Sequence, residues 1–222
     1  MSEVEVRGSL PQIVRNDQDL YEGDLTHYLK VIFNHAINLN NPYHNFRHMF
    51  HVLWLCHEAC KFYADGLTKR DKRNLLIAAV FHDFDHLGNS SPDQINIDRA
   101  IAGLQAHVAE EDVPHLATIE ALIQATHYPY LVPSESLDLP ARIIRDADVG
   151  QTLTATWIQQ VIFGLAAEWG KTPLDLLQMQ SPFLSHLEFG TEWARSTFPR
   201  EYIDGKINEA NELLSLLQAV PD

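Results

Sequence analysis

Leu75-Leu76-Ile77-Ala78-Ala79-Val80-Phe81-His82-Asp83-Phe84-Asp85-His86 decides the fold. An apolar run gives way at once to two histidines and two aspartates, with Gly88 close behind. Thr68 followed three residues later by Asp71 has the spacing of a helix N-cap, so the stretch reads as a helix over about 69–86. On that helix His82 and His86 stand one turn apart and share a face. Asp83 sits about 100° around and faces the same inner volume. A dense acid–imidazole cluster at the end of an apolar helix is costly to bury without a partner. A bound cation is such a partner.

Two further clusters belong with this one. Tyr43-His44-Asn45-Phe46-Arg47-His48 lies upstream, at the start of a helix read over about 45–63. Arg145-Asp146-Ala147-Asp148 lies downstream. His48, His82, Asp83 and Asp148 would supply two imidazoles and two carboxylates, with Asp146 a rival to Asp148. Such a set, with positions left for water, suits a hydrolytic cation better than a closed structural one. The remaining histidines, His27, His35, His51, His57, His107, His115 and His186, read as core or surface residues.

Helical periodicity runs through the rest of the chain. Further helices are expected over about 23–39, 95–110, 113–127, 142–168 with a break near Gly150, and 201–217. Thr172-Pro173 reads as an N-cap with proline at the first helical position. Pro42 and the Tyr128–Pro133 segment, with its two prolines, interrupt the pattern. Strand-like alternation is nearly absent. The expectation is an all-α, compact single-domain helical bundle over residues 19–222, preceded by a mobile tail over 1–18.

The chain of 222 residues can bury a core without staples. A net charge of −14 argues against nucleic-acid or membrane-surface partners. An anionic substrate remains open if bound cations reverse the local field. Cys56 and Cys60 share a helix face and read as core residues. No apolar run reaches the roughly 18 residues of a membrane span, and the N-terminus lacks a signal-peptide pattern. A cytoplasmic protein is expected.

The four-part pattern of His48, the His82-Asp83 pair and Asp148 resembles the HD superfamily of metal-dependent phosphohydrolases. More narrowly, Tyr43-His44-Asn45-x-x-His48 and His82-Asp83-x-Asp85-His86 resemble the signatures of class I cyclic nucleotide phosphodiesterase catalytic domains. Ala147-Asp148-Val149 is similar to a later motif of that family. The resemblance implies an HD/PDEase-like helical bundle that takes two divalent metal ions, Zn, Mg or Mn, with Fe also open. His48, His82, Asp83 and Asp148 would hold one ion and Asp83 would bridge to the second. His44 would be the general acid, His86 would contact phosphate or a ligand, and Asp85 would orient a neighbouring imidazole. The substrate would be a small nucleotide phosphate, a 3′,5′-cyclic nucleotide opened to its 5′-monophosphate.

One position departs from the family. His127 stands where an aspartate near the second metal is usual, either as a direct ligand or behind one. For substrate binding the expected residues are Tyr43 and the pair Gln180 and Phe183, whose spacing resembles the purine-binding glutamine and phenylalanine of the family. Phe189, Trp193 and Phe198 are alternative pocket walls. Arg47 and Arg145 would either help hold phosphate or lie exposed. The rival readings are an HD-type phosphomonoesterase or nucleotidase, a catalytically silent metal- and nucleotide-binding module, and, more remotely, an iron oxygenase.

Overall fold

The computed structural model describes residues 9–218. These form eleven α-helices joined by short turns, and no β-strand occurs among the described residues. In chain order the helices are α1 (Leu10–Arg15), α2 (Thr26–His35), α3 (Phe46–Phe62), α4 (Lys69–Phe81), α5 (Asp93–His107), α6 (Leu116–Ala125), α7 (Leu139–Val149), α8 (Gly164–Trp169), α9 (Pro173–Ser185), α10 (Glu192–Thr197) and α11 (Arg200–Gln218).

The apolar run makes α4 the axis of the molecule. Lys72 through Phe81 are all buried, and α4 packs against α2, α3, α5, α6 and α7. Burying each large aliphatic side chain contributes ~1.5–3 kcal/mol, so a central helix without a polar face is the strongest organiser the chain has. Thr68 caps it in a box with Asp71, as the spacing predicts. Its two buried basic residues are matched. Lys72 donates to Ala64 O, and Arg73 donates twice to the fully buried Asp112, which also accepts from Arg70 and Tyr28. Cys56 and Cys60, on α3, are fully buried and free.

The helix stops earlier than its sequence suggests. It ends at Phe81, and residues 82–85 form turns in which Phe84 N–H donates to Phe81 O and His86 N–H to Asp83 O. Asp85 takes a left-handed φ of +60°, a conformation aspartate tolerates better than most residues. Within the segment expected as a mobile tail, residues 1–8 lie outside the described residues. Residues 10–15 form α1, capped by a Ser9–Gln12 box, with Ile13 and Val14 buried in the main core. The interruption expected near Gly150 is a 3-10 turn over Gly150–Leu153 followed by a π-helical stretch over Ile158–Phe163.

A second, smaller core joins Tyr43, Trp157, Val161, Ile162, Ala166, Leu176, Leu177 and Ala210. It is roofed by α9 and α11, which pack together. Gly164 sets how closely α8 approaches the loop before α3. A Cβ there would lie 2.8 Å from Pro42 O and 3.2 Å from Tyr43 Cβ. Glycine therefore lets α8 pack almost backbone to backbone against that loop. Glu168, one turn later on the same face, is thereby brought to the loop that carries His44.

Candidate active site

Asn45 places the first half of the site. Its side-chain oxygen accepts from Arg47 N and His48 N, which fixes the start of α3. His44 thus lies outside the helix, and His48 lies in its first turn. Asn38, on the turn after α2, ties this loop to the 82–85 turn. Its Nδ2 donates to His44 O and Asp83 O, and its Oδ1 accepts from Asp85 N.

Four donors converge where α3, α4 and α7 meet. His48 Nε2 lies 3.2 Å from His82 Nε2 and 3.0 Å from Asp148 Oδ1. Asp83 Oδ2 lies 3.3 Å from both imidazole nitrogens, and Asp148 Oδ1 lies 3.6 Å from His82 Nε2. Tetrahedral ligands on bonds of ~2.0–2.1 Å sit about 3.3 Å apart, close to the separations among the His48, His82 and Asp148 atoms. Asp83 Oδ2 is buried and accepts no hydrogen bond. The His48 and His82 nitrogens and Asp148 Oδ1 form a set that could hold a zinc-like cation, and Asp83 Oδ2 faces both imidazoles beside it. The electrostatics without a cation express the same demand. Burial opposes charge on both Asp83 and His82, yet their attraction wins, holding the Asp83 carboxyl well below its usual range and raising His82 to about 9.

Beside this cluster lies a second one, built on His44, His86 and Glu168. Glu168, its side chain fully buried, accepts from Tyr43 N at 2.8 Å and from His44 N at 2.9 Å. Its other oxygen lies 2.6 Å from His44 Nδ1. His44 therefore carries its Nδ1 proton toward Glu168. Burial disfavours charge on His44, but Asp83, the Glu168 hydrogen bond and Asp148 outweigh it, so its pKa rises. The His86 ring stacks on the His44 ring at 3.7 Å. Gly88 N–H donates to His86 Nδ1, and burial together with the neighbouring His44 lowers His86 to about 4. His86 is thus a neutral imidazole with its remaining proton on Nε2.

The structure sorts the expected residues. His48, His82, Asp83 and Asp148 come together, and Asp148 rather than Asp146 is the aspartate that joins them. Asp146 instead accepts from Gly190 N, Thr191 N and Thr191 Oγ1. His82 and His86 do not share a helix face: the turn after Phe81 sends them to different clusters. Asp85 is corrected. Its left-handed backbone swings the carboxylate away, and it accepts from Ile37 N instead of an imidazole. Glu168, unforeseen in the sequence reading, is the carboxylate that holds an imidazole. Tyr43 is buried, with its ring against His48 and His44. His127 follows α6, half-buried, with Nδ1 3.2 Å from Pro129 O, and is not among the converging donors. Gln180 is buried, and its Nε2 donates to Leu176 O. Phe183 lines a groove of about 790 Å³ together with Tyr128, Tyr130, Arg145 and Phe189. Trp193 and Phe198 are core residues, as Phe189 also is.

Residues 43–131 match the family described as 3′5′-cyclic nucleotide phosphodiesterase. That stretch is similar to cyclic nucleotide phosphodiesterases. High affinity cGMP-specific 3′,5′-cyclic phosphodiesterase 9A of Homo sapiens is 41% identical over 64 residues, covering 26% of this chain and 10% of the relative. The Mus musculus protein of that name is likewise 41% identical over 64 residues, covering 11% of its length, and the Pan troglodytes protein is 38% identical. The matched stretch spans about a tenth of the length of these relatives. The family match contains His44, His48, His82, Asp83, His86 and His127. Asp148 and Glu168 lie beyond its end, yet they complete the two clusters that the matched residues begin. No described helix is long and apolar enough to cross a membrane.

Proposed function

We propose that this chain hydrolyses a 3′,5′-cyclic nucleotide to its 5′-monophosphate with the help of two divalent metal ions, Zn, Mg or Mn. One observation carries the reading: the four-donor cluster stands beside an imidazole held by a buried carboxylate. The first can activate a water and the second can protonate the departing alkoxide, and the likeness of residues 43–131 to the 3′5′-cyclic nucleotide phosphodiesterase family favours a cyclic diester over a monoester.

His48, His82, Asp83 and Asp148 would hold the first cation, and Asp83 would also serve the second. His127 is the nearest sequence candidate for a further ligand there. A cation so held would lower the pKa of a water and offset charge on the phosphate oxygens. The proton work falls to His44. With Nδ1–H committed to Glu168, its Nε2–H is free to protonate the leaving 3′-oxygen. The His44 side chain keeps 19% of its surface exposed while Glu168 keeps none, so the imidazole is open to substrate and its partner is not. Stacked, neutral His86 holds the ring plane without competing for that proton. Phe183, on the groove wall, and Gln180 are the proposed contacts to the base. The cGMP specificity named for the relatives makes cyclic GMP the first substrate to try, with cyclic AMP beside it.

Two substitutions separate the roles. His44→Ala is expected to lose turnover and keep metal, whereas Asp83→Ala loses both. Full turnover in either variant contradicts the assignment.

A further inference from the structure

One short segment grips His48 at both ring nitrogens. Asp148 Oδ1 lies 3.0 Å from Nε2, and Gln151 Oε1 lies 2.7 Å from Nδ1. We propose that Gln151 is a positioning residue of the metal centre, taking the Nδ1 proton of His48 so that the Nε2 lone pair stays aimed at the cation. The inference rests on the metal reading above.

The need for it follows from where each histidine sits on its helix. His82 follows the last turn of α4, where carbonyl groups lack helical partners, and its Nδ1 finds Ala79 O at 2.8 Å. His48 sits in the first turn of α3, where the surplus is of N–H groups. The carbonyl three residues before it, Asn45 O, already accepts from Met49 N. The acceptor that meets His48 Nδ1 comes instead from elsewhere in the chain. The 3-10 turn over Gly150–Leu153 delivers it, and Gln151 is buried at 3% exposure. Gly150 lets this turn close on α3, since a Cβ there would lie 2.8 Å from Leu55 Cδ1.

The direction of the amide matters. With Oε1 toward His48, the ring carries its proton on Nδ1 and Nε2 is a ligand. With the amide reversed, its NH₂ would donate to Nδ1 and force the proton onto Nε2, among Asp83, His82 and Asp148. That tautomer cannot ligate. Partners that fix the tautomer and orientation of a ligating histidine are a general feature of metal sites.

The test compares zinc dissociation constants, by chelator competition, for the wild type, Gln151→Leu and Gln151→Glu. It adds melting temperatures of the metal-free proteins and side-chain ¹⁵N spectra of His48. Gln151→Leu is expected to weaken zinc by about 10- to 100-fold with a metal-free melting temperature near that of the wild type. Gln151→Glu keeps the acceptor and is expected to bind zinc at least as tightly as the wild type. Gln151→Leu within about threefold of the wild type overturns the inference, as does equal weakening in both variants, which marks mere packing. If Gln151→Leu does not fold, the wild-type spectrum decides: a metal-free His48 protonated on Nδ1 alone supports the inference, and one protonated on Nε2 alone overturns it. A wild type that binds no zinc, manganese or magnesium removes the metal reading itself, an outcome distinct from the others.

Discussion

Replacing Glu168 by glutamine removes a charge and almost nothing else. The wild-type carboxylate accepts from Tyr43 N, His44 N and His44 Nδ1 at 2.8, 2.9 and 2.6 Å. Glutamine keeps one oxygen for the two backbone donors and turns an NH₂ toward His44. That NH₂ cannot accept from Nδ1–H, so the imidazolium loses a charge-assisted bond worth about 1.5–3 kcal/mol. At roughly 1.4 kcal/mol per decade, kcat falls about 10- to 150-fold, within the ~10²–10⁴ range of a general acid. The pH profile should move too. Glu168 is among the causes that raise the His44 pKa, and a general acid is lost as pH rises through its pKa. Without Glu168 that pKa falls, so the alkaline limb of activity moves to lower pH. Glu168 touches none of the four residues proposed to hold the cation, so metal content should not change. The assay is kcat against pH for both proteins, with metal measured in parallel. An unchanged kcat refutes the orienting role, and a loss that tracks lost metal refutes the separation of the two clusters.

Three further outcomes follow from the packing and the charges. Gly164→Ala places a Cβ 2.8 Å from Pro42 O, so α8 must retreat by about half an ångström. Since a 1 Å misplacement costs ~10²-fold in rate, kcat should fall about tenfold with zinc affinity unchanged. Asp112→Ala leaves the buried Arg73 without its two strongest acceptors and should cost about 3–5 kcal/mol in urea denaturation. Burial raises Asp146 from 3.8 to about 6 against the hydrogen bonds from Thr191 and Gly190. The folded protein therefore holds this proton more tightly than the unfolded chain does. The stability it contributes is present below about pH 4 and is lost as pH rises through about 6, an effect of order 3 kcal/mol. Asp146→Asn should remove that slope from the difference between stabilities measured at pH 4.5 and pH 7, while a slope equal to that of the wild type counts against it.

The helices were readable where the sequence carried local physics. Thr68 with Asp71 and Thr172 with Pro173 announced their helix starts. The apolar stretch before His82 announced a buried helix, since only the interior tolerates a helix with no polar face. Asp85 departs from the helical expectation because α4 ends at Phe81, where the polar cluster begins. The six-residue α1 went unread although Ser9 and Gln12 have capping-box spacing, because so short a helix shows little periodicity. Of the candidate site, the residues proposed to hold a cation stand out in the sequence because metal chemistry restricts residue type so severely. Glu168 was not. It is one of 30 acidic residues and meets His44 across more than a hundred residues, through a π-helical stretch and a glycine contact that no local pattern encodes. Gln151 was hidden for a similar reason, since its value depends on His48 lying at a helix start rather than a helix end.

The central claim is tested most directly by product analysis. The purified protein would be stripped of metal, reloaded with zinc, magnesium or manganese, and given cyclic GMP, cyclic AMP and the corresponding 5′-monophosphates. Conversion of a cyclic nucleotide to its 5′-monophosphate, abolished by chelation and by His44→Ala with its metal retained, is the predicted result. Turnover confined to the monophosphates, or cyclic nucleotide bound but uncleaved with every metal, would contradict the account.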